Sequence, residues 1–331
     1  MDTVEQPKIC SLKAGDVFVG FLISQEVSFK TSSKGSKYLE LKLVDASGYI
    51  RAFLWDIQAI EGSTDQIVAD AFLMVKGQVT TYNGRIQLKL DKVRFAQDEE
   101  VGPFLYHFLP VSQHPIDVMA TKLDLVIDSI MDPWIRKLIK LLLVEDKTLR
   151  EAFCGAPAAK TLHHARIGGL LEHTLSIVSM AEKICAHYTK INRDLVIAGV
   201  LLHDIGKTTE LTYKRSFSYS DIGGLVGHIS IAANLVNRTI MQIPSFPEEL
   251  YLHVLHIVLS HHGKLEYGSP VTPKTPEAIL VHYLDDLDAK LEVVFHGIEE
   301  DNGDGNWTQF SRGLDCTIYK PRWPQTAREV I

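Results

Sequence analysis

One segment constrains this chain more than any other. Residues 195–202 form an almost wholly apolar run, and His203 and Asp204 follow it directly. A run of this composition belongs in a protein core, so the pair is expected to be buried. Burying two ionisable side chains costs several kcal/mol unless they are paired, hydrogen-bonded or bound to a metal ion. The sequence therefore predicts a compensating partner for His203 and Asp204.

Metal ions of intermediate hardness accept imidazole nitrogen and carboxylate oxygen together. The candidate ligands are His or Asp residues that helices or loops can turn inward: His173, His203, Asp204, His228, His261 and Asp285. Asp204 would bridge two ions, His228 and His261 would complete the second, and the others would hold the first. Two ions about 3.5–4 Å apart can clamp a phosphoryl group during in-line displacement. Each residue alone has a simpler interpretation, such as a hydrogen-bonded core histidine for His173.

The first hundred residues have a β pattern. Residues 17–29 are rich in Val, Phe and Ile, residues 38–44 alternate apolar and polar, and further strands are expected at 50–55, 71–82 and 85–94. Asn83-Gly84 is a strong signal for a type I′ hairpin turn. Five strands in about 85 residues favour a small closed barrel that resembles an OB-fold.

Barrels of this kind bind single strands through stacking aromatic side chains and basic residues. The candidate contacts in this segment are exposed aromatic or basic residues: Phe29, Lys37, Tyr38, Arg51, Trp55 and Arg85. Every β-barrel also carries core aromatics and surface lysines, so the pattern alone does not separate a ligand contact from an ordinary barrel residue.

Composition restricts the class of protein. The net charge is −7, which argues against a surface coated in basic residues for duplex binding. Residues 1–97 carry 12 Lys and Arg against 11 Asp and Glu, whereas the remainder carries 22 against 30. The four cysteines are scattered without a CxxC pair, and no secretory signal or transmembrane run is evident, so a cytoplasmic protein without a membrane contact is expected.

The pattern predicts a multidomain α+β chain. Its parts would be an OB-fold barrel (1–97), a helical connector (98–150), an all-α metal-binding domain (151–300) and an irregular or packed C-terminal tail (301–331).

The motifs around the metal candidates resemble a known family. His173, His203-Asp204 and Asp285 resemble the HD-domain metal-dependent phosphohydrolases. Longer stretches, including Leu202-His-Asp-Ile-Gly-Lys207, Gly227-His-Ile and Leu259-Ser-His-His-Gly263, are similar to the YhaM family of bacterial 3′→5′ exoribonucleases. That family combines an N-terminal OB-fold with an HD domain.

The resemblance implies an activity and roles for residues. Asp204, Lys207 and His262 would be catalytic, with His262 as a candidate proton donor, and His163 and His164 would contact phosphate of the nucleic acid. The reaction would trim single-stranded RNA, and also single-stranded DNA, to 5′-mononucleotides. Mn²⁺ is the first choice for the two divalent ions, followed by Co²⁺ or another ion.

Two other interpretations stay open at this stage. The same metals would serve an HD-type phosphodiesterase or nucleotidase that acts on small or cyclic nucleotides. Alternatively, the chain would be a non-catalytic, single-strand-binding regulatory protein with a structural metal core. The sequence is also compatible with a homo-oligomer.

Overall fold

The computed structural model describes residues 6–32, 35–160, 164–213, 217–301, 303–311 and 313–321. The chain divides into two compact units. The residues up to Pro110 belong to the first unit, and the second contains Val111–Thr212 and the residues from Phe217 onward. Each unit has its own core, and each is described separately below.

The first unit is built on β-strands that alternate buried apolar and outward polar side chains. In β2, Leu39, Leu41 and Leu43 are buried, whereas the residues between them are partly exposed. This alternation is the pattern of a sheet with one face on a core. The strands are β1 Val17–Thr31, β2 Lys37–Asp45, β3 Gly48–Leu54, β4 Ile60–Glu61, β5 Ala71–Tyr82 and β6 Arg85–Phe95.

The five long strands close into a barrel. Antiparallel pairs join β3 to β2, β2 to β1, β1 to β5 and β5 to β6, and a parallel pairing of β3 with β6 closes the ring. The short β4 pairs only with β6. Asn83 and Gly84 both have positive φ, as the predicted type I′ turn requires. The prediction of an OB-like barrel is confirmed.

The second unit is mainly helical. Its elements are α2 Ile116–Ser129, α3 Pro133–Lys140, α4 Lys147–Gly155, α5 Gly169–His187, α6 Arg193–Leu202, α7 Lys207–Glu210, β7 Leu211–Thr212, β8 Ser218–Tyr219, α8 Asp221–Val226, α9 His228–Ile240, α10 Glu248–Ser260, α11 Pro276–Glu300, β9 Trp307–Ser311 and β10 Cys316–Tyr319. A short helix, α1 Asp98–Val101, belongs to the first unit. Among the helices of the described residues, none is long and apolar enough to cross a membrane.

The helix α6 is the centre of the second unit. Asn192 caps it by accepting a hydrogen bond from the backbone N–H of Leu195, and all residues from Leu195 to Leu202 are buried. A helix that is apolar on every side has to be surrounded by other elements. Helices α5, α10 and α11 pack against it, and His203 and Asp204 emerge at its C-terminal end.

The C-terminal segment contains a hairpin within residues 307–319. The strands β9 and β10 form an antiparallel hairpin, with Thr317 opposite Phe310 and Tyr319 opposite Trp307. The aromatic rings of Trp307 and Tyr319 lie 5.2 Å apart across the hairpin. Cross-strand aromatic pairs of this kind stabilise a hairpin, and the sequence analysis did not use them.

Candidate metal centre

The ends of two helices place two histidines of the site. His203 follows α6 and His261 follows α10, and each ring donates its Nδ1–H to the carbonyl oxygen three residues earlier, in Val200 and Val258. The last four carbonyl groups of a helix lack partners within the helix, so these acceptors are available. The same local arrangement therefore directs both Nε2 atoms to the interior.

Five histidines converge in the same manner. In each, Nδ1 hydrogen-bonds to an oxygen atom that can only accept, which leaves Nε2 for another partner. The pairs are His173 with Asp288 (2.7 Å), His203 with Val200 (2.8 Å), His228 with Glu210 (3.0 Å), His261 with Val258 (2.8 Å) and His262 with Tyr267 (2.8 Å). Imidazoles that bind metal ions are usually fixed by a bond of this kind at the other nitrogen.

The first donor set contains His173, His203, Asp204 and Asp285. Their ligand atoms all lie within 4.8 Å of one another. Asp285 Oδ1 lies 3.2 Å from His173 Nε2 and 3.7 Å from His203 Nε2, and Asp204 Oδ2 lies 3.4 Å from His203 Nε2. Donors that share one ion, each about 2.1 Å from it, are separated by distances of this size.

A second donor set lies on the other side of Asp204. The Nε2 atoms of His228 and His262 are 3.3 Å apart, and His261 completes a group of three. Asp204 Oδ1 lies 3.6 Å from His228 Nε2 and 3.7 Å from His261 Nε2. Because its Oδ2 faces the first set, Asp204 is positioned as a bridge between the two.

Unpaired polar atoms test whether metal ions fit these residues. Within the two donor sets, His203 Nε2, His261 Nε2 and Asp204 Oδ1 are buried without a hydrogen-bond partner. An orphaned buried polar atom costs roughly 1–3 kcal/mol. All three atoms belong to the two donor sets, and a bound cation would satisfy them together. The residues present therefore fit a dinuclear metal site.

Charge in the metal-free centre is shared between carboxylates and imidazoles. Burial alone would lower the pKa of His203, but the attraction of Asp204 outweighs it and raises the pKa to about 10. Burial likewise opposes a charged His173, whereas bonds to Asp285 and Asp288 raise its pKa. In contrast, burial and the nearby charge of His203 hold the pKa of His261 well below its ordinary value. The carboxylates therefore favour the protonated form of His203 at neutral pH and shift His173 in the same direction.

Metal binding is expected to release the proton of His203 near pH 7, because a ligating imidazole must be neutral. The apparent metal affinity should consequently rise with pH. Titration calorimetry with Mn²⁺ in two buffers of different ionisation enthalpy measures the released protons. Uptake of Mn²⁺ between pH 6 and pH 8 without proton release would contradict this protonation scheme.

A second layer of residues holds the ligands, and the sequence analysis missed most of it. Asp288 Oδ2 accepts from His173, and the hydroxyl of Ser176 donates to Asp288 Oδ1. Glu210 accepts both the backbone N–H and the ring N–H of His228. The i,i+3 spacing of Asp285 and Asp288 on one helix was the available signal, because it places both carboxylates on one face.

His163 and His164 were both expected to contact phosphate, and of the two the structure describes His164. His164 is buried, and its Nε2 lies 3.0 Å from Asp288 Oδ2, behind His173. The structure therefore places it in the supporting layer rather than on a surface. His163 lies outside the described residues.

Lys207 lies inside the centre. Its Nζ donates to Asp204 Oδ2 at 2.6 Å, and the residue is 9% exposed. Burial opposes its charge, but Asp204 raises its pKa, so the ammonium group stays protonated. Gly206 precedes it because a Cβ there would lie 2.1 Å from the carbonyl oxygen of His228. This close approach holds α7 against the start of α9.

The barrel unit carries a candidate nucleic-acid surface of its own. Trp55 is 52% exposed and stacks on Tyr38, with ring centroids 4.8 Å apart, and on Phe53 at 6.1 Å. Pairing of β3 with β6 puts Arg51 beside Gln87 and Phe53 beside Lys89 on this face. The sequence analysis missed Phe53 and Lys89. We call Tyr38, Arg51, Phe53, Trp55 and Lys89 the aromatic face.

The remaining candidates of the barrel are distributed differently. Phe29 lies opposite the buried Leu39, and Lys37 lies opposite Thr31, so both occupy the side of β1 and β2 that faces away from Tyr38. Arg85 is exposed beside Tyr82 at the end of the β5–β6 hairpin. Alternation along β6 places it on the side of Gln87, toward the aromatic face.

Comparisons with known proteins agree with this architecture. A model of the HD domain matches residues 170–290. This range contains both donor sets, and the helical unit therefore carries an HD domain.

Three solved structures with similarity to the chain all have TM-scores below 0.5. The HD domain of the L. monocytogenes phosphodiesterase PgpH is 20% identical over 44% of this chain and 74% of its own, with a TM-score of 0.29. The second OB-fold domain of replication protein A from Methanococcus maripaludis is 18% identical over 28% of this chain and 96% of its own, with a TM-score of 0.23. A murine DNA-binding protein bound to double-stranded DNA is 16% identical over 26% of this chain and 43% of its own, with a TM-score of 0.22.

Proposed function

We propose that this chain is a metal-dependent 3′→5′ exonuclease that trims single-stranded RNA to 5′-mononucleotides, with single-stranded DNA as a second substrate. The observation that carries the hydrolase part is the convergence of four Nε2 atoms, those of His173, His203, His228 and His261, on the carboxylate of Asp204. The OB-like barrel and its aromatic face support a single-stranded substrate. The direction of trimming and the preference for RNA rest on the resemblance to the YhaM family.

The ligand roles follow from the two donor sets. His173, His203, Asp204 and Asp285 would hold one ion, and His228, His261 and His262 would hold another that shares Asp204. Divalent ions at this position supply Lewis acidity and neutralise charge on a phosphodiester. Mn²⁺ is proposed first because the carboxylate donors suit it, and Co²⁺ is the alternative, since a mixed nitrogen and oxygen donor set accepts several divalent ions.

The surrounding residues fix the ligands and add charge. Asp288 and Glu210 hold the Nδ1–H tautomers of His173 and His228, so that neither ring rotates away. Lys207 keeps a positive charge beside Asp204, where a phosphate would be attracted. We place His262 among the ligands rather than as a proton donor, because its Nδ1 is bonded to Tyr267 and its Nε2 faces His228.

The test is a digestion of defined substrates with Mn²⁺. A single-stranded oligoribonucleotide labelled at its 5′ end should shorten stepwise from the 3′ end and release 5′-mononucleotides, and EDTA should stop the reaction. Oligodeoxynucleotides and a panel of cyclic and linear dinucleotides are digested in parallel. Hydrolysis of the small nucleotides alone would reject the exonuclease and favour a small-molecule phosphodiesterase.

Removing the central ring of the aromatic face should weaken strand binding. Stacking of a base on an aromatic ring contributes about 1–3 kcal/mol, so Trp55→Ala is expected to raise the Kd for single-stranded RNA by roughly five- to 150-fold. Fluorescence anisotropy with EDTA-treated protein measures Kd without cleavage. Trp307→Ala is the matched control, because Trp307 is 58% exposed in the other unit. Equal affinities of the two variants would remove the aromatic face from the proposal.

A further inference from the structure

The segment that follows His262 is a tightly held turn. Gly263 has a φ of +77°, and a Cβ there would lie 2.2 Å from the ring of His282. The buried Ser269 closes the turn, because its hydroxyl bonds to the carbonyl groups of Leu259 and Val271. Its backbone N–H also donates to the carbonyl oxygen of Lys264. We call residues 263–269 the ligand turn, since it is fixed directly to the metal centre.

Tyr267 joins the ligand turn to the second donor set. Its carbonyl oxygen accepts the Nδ1–H of His262 at 2.8 Å, which places the backbone of Tyr267 directly behind a metal ligand. Nevertheless, the residue is 57% exposed, and Lys264 Nζ lies 5.1 Å from the centroid of its ring. The exposed ring of Tyr267 therefore stands on a turn whose backbone is hydrogen-bonded to a residue of the second donor set.

An exposed aromatic ring in this position is suited to stacking on a nucleobase. We infer that Tyr267 is a stacking platform for the nucleobase next to the scissile phosphate, with Lys264 as its cationic neighbour. The ring contributes no base-specific hydrogen bond, so the platform accepts any base, as trimming of a mixed sequence requires. Lys264 adds attraction for the polyanionic backbone, although Glu266, whose Oε1 lies 3.3 Å from its Nζ, offsets part of that charge. This assignment rests on the proposed nuclease function and names the part of the substrate that the metal centre recognises.

The rigidity of the turn defines what the platform does. Since the backbone carbonyl of Tyr267 is hydrogen-bonded to His262, a base stacked on the Tyr267 side chain would lie next to the second donor set. Positioning of the reacting group in this way lowers the entropy cost of the chemical step. A nucleotide without a base would lose the contact but keep its phosphate, and this difference makes the assignment testable.

The experiment compares two oligoribonucleotides that differ only at the 3′-terminal residue, one with an ordinary nucleotide and one abasic. Wild-type kcat/KM should be about tenfold higher on the ordinary substrate. Tyr267→Ala should lower kcat/KM about tenfold on that substrate and leave the abasic one unchanged, whereas Tyr267→Phe should match the wild type on both. Tyr188→Ala is the control, because Tyr188 is also 57% exposed but caps the far end of α5.

The outcomes separate the two proposals. If Tyr267→Ala matches the wild type, or loses the same factor on both substrates with an unchanged metal content, the stacking platform is rejected and the nuclease stands. Equal wild-type rates on the ordinary and abasic substrates reject it as well. If the wild type cleaves neither oligonucleotide, the nuclease function fails, and the stacking assignment fails with it.

Discussion

Replacement of Asp204 by Asn is expected to reduce hydrolysis roughly 1,000-fold, because the carboxylate that faces both donor sets is lost. A bound divalent ion contributes several kcal/mol to stabilising charge in the transition state, and each 1.36 kcal/mol is a factor of ten. The amide keeps the shape of Asp204 but offers one oxygen instead of two. In the structure, Oδ1 of Asp204 faces His228 in the second donor set, whereas its Oδ2 faces His203 in the first. The measurement is kcat/KM on an oligoribonucleotide together with the metal content per chain.

The control for this substitution is Asp286→Asn. Asp286 follows the ligand Asp285, but it points outward and pairs with Lys290 at 2.7 Å. The Asp286→Asn variant should keep the wild-type kcat/KM and the wild-type metal content. Because Asp204 also pairs with the buried Lys207, circular dichroism and thermal unfolding of both variants establish that the fold is kept. A folded Asp204→Asn protein with full activity would remove the metal centre as the site of hydrolysis.

How far the sequence predicts such a site depends on how local the signal is. The burial of His203 and Asp204 could be predicted because the apolar helix α6 leads directly into them. The end of the helix and the buried pair are neighbours in the chain. The supporting residues are a different case. Asp288 reaches His173 across 115 positions, so its role depends on how α5 and α11 cross. No sequence pattern within either helix predicts how the two helices cross. Glu210 was missed for the same reason, because its contact with His228 depends on how α7 packs against α9.

The barrel illustrates a second limit of prediction from sequence, which is the choice of the residues in a strand that face inward and of those that face outward. Phe18, Leu22 and Ser24 of β1 are buried, so strict alternation places Phe29 on the outer side with Tyr38. The register of β1 and β2 shifts between Ser24 and Glu26, and this bulge reverses which residues face inward. Phe29 consequently lies opposite Leu39. Strand positions and the hairpin turn could be predicted from composition, whereas a one-residue irregularity that exchanges the two faces could not.

His262→Asn is expected to remove one of two bound ions and to lower kcat/KM roughly 100-fold or more, since the pair of ions acts as a unit on the phosphoryl group. The sequence suggested His262 as a proton donor, whereas its position 3.3 Å from His228 Nε2 supports a ligand. The two roles predict different results for the same variant. Loss of a ligand reduces the metal content from two ions to one, and excess Mn²⁺ should restore part of the rate.

Loss of a proton donor gives the opposite pattern. The variant would keep both ions, excess Mn²⁺ would not help, and the pH dependence of kcat would lose the ionisation of the donor. His187→Asn is the matched control, because His187 is exposed at the end of α5, and the variant should resemble the wild type in metal content and rate. Two retained ions with a changed pH profile would return His262 to the role of acid. One retained ion with a partial rescue would establish the second donor set as a metal site.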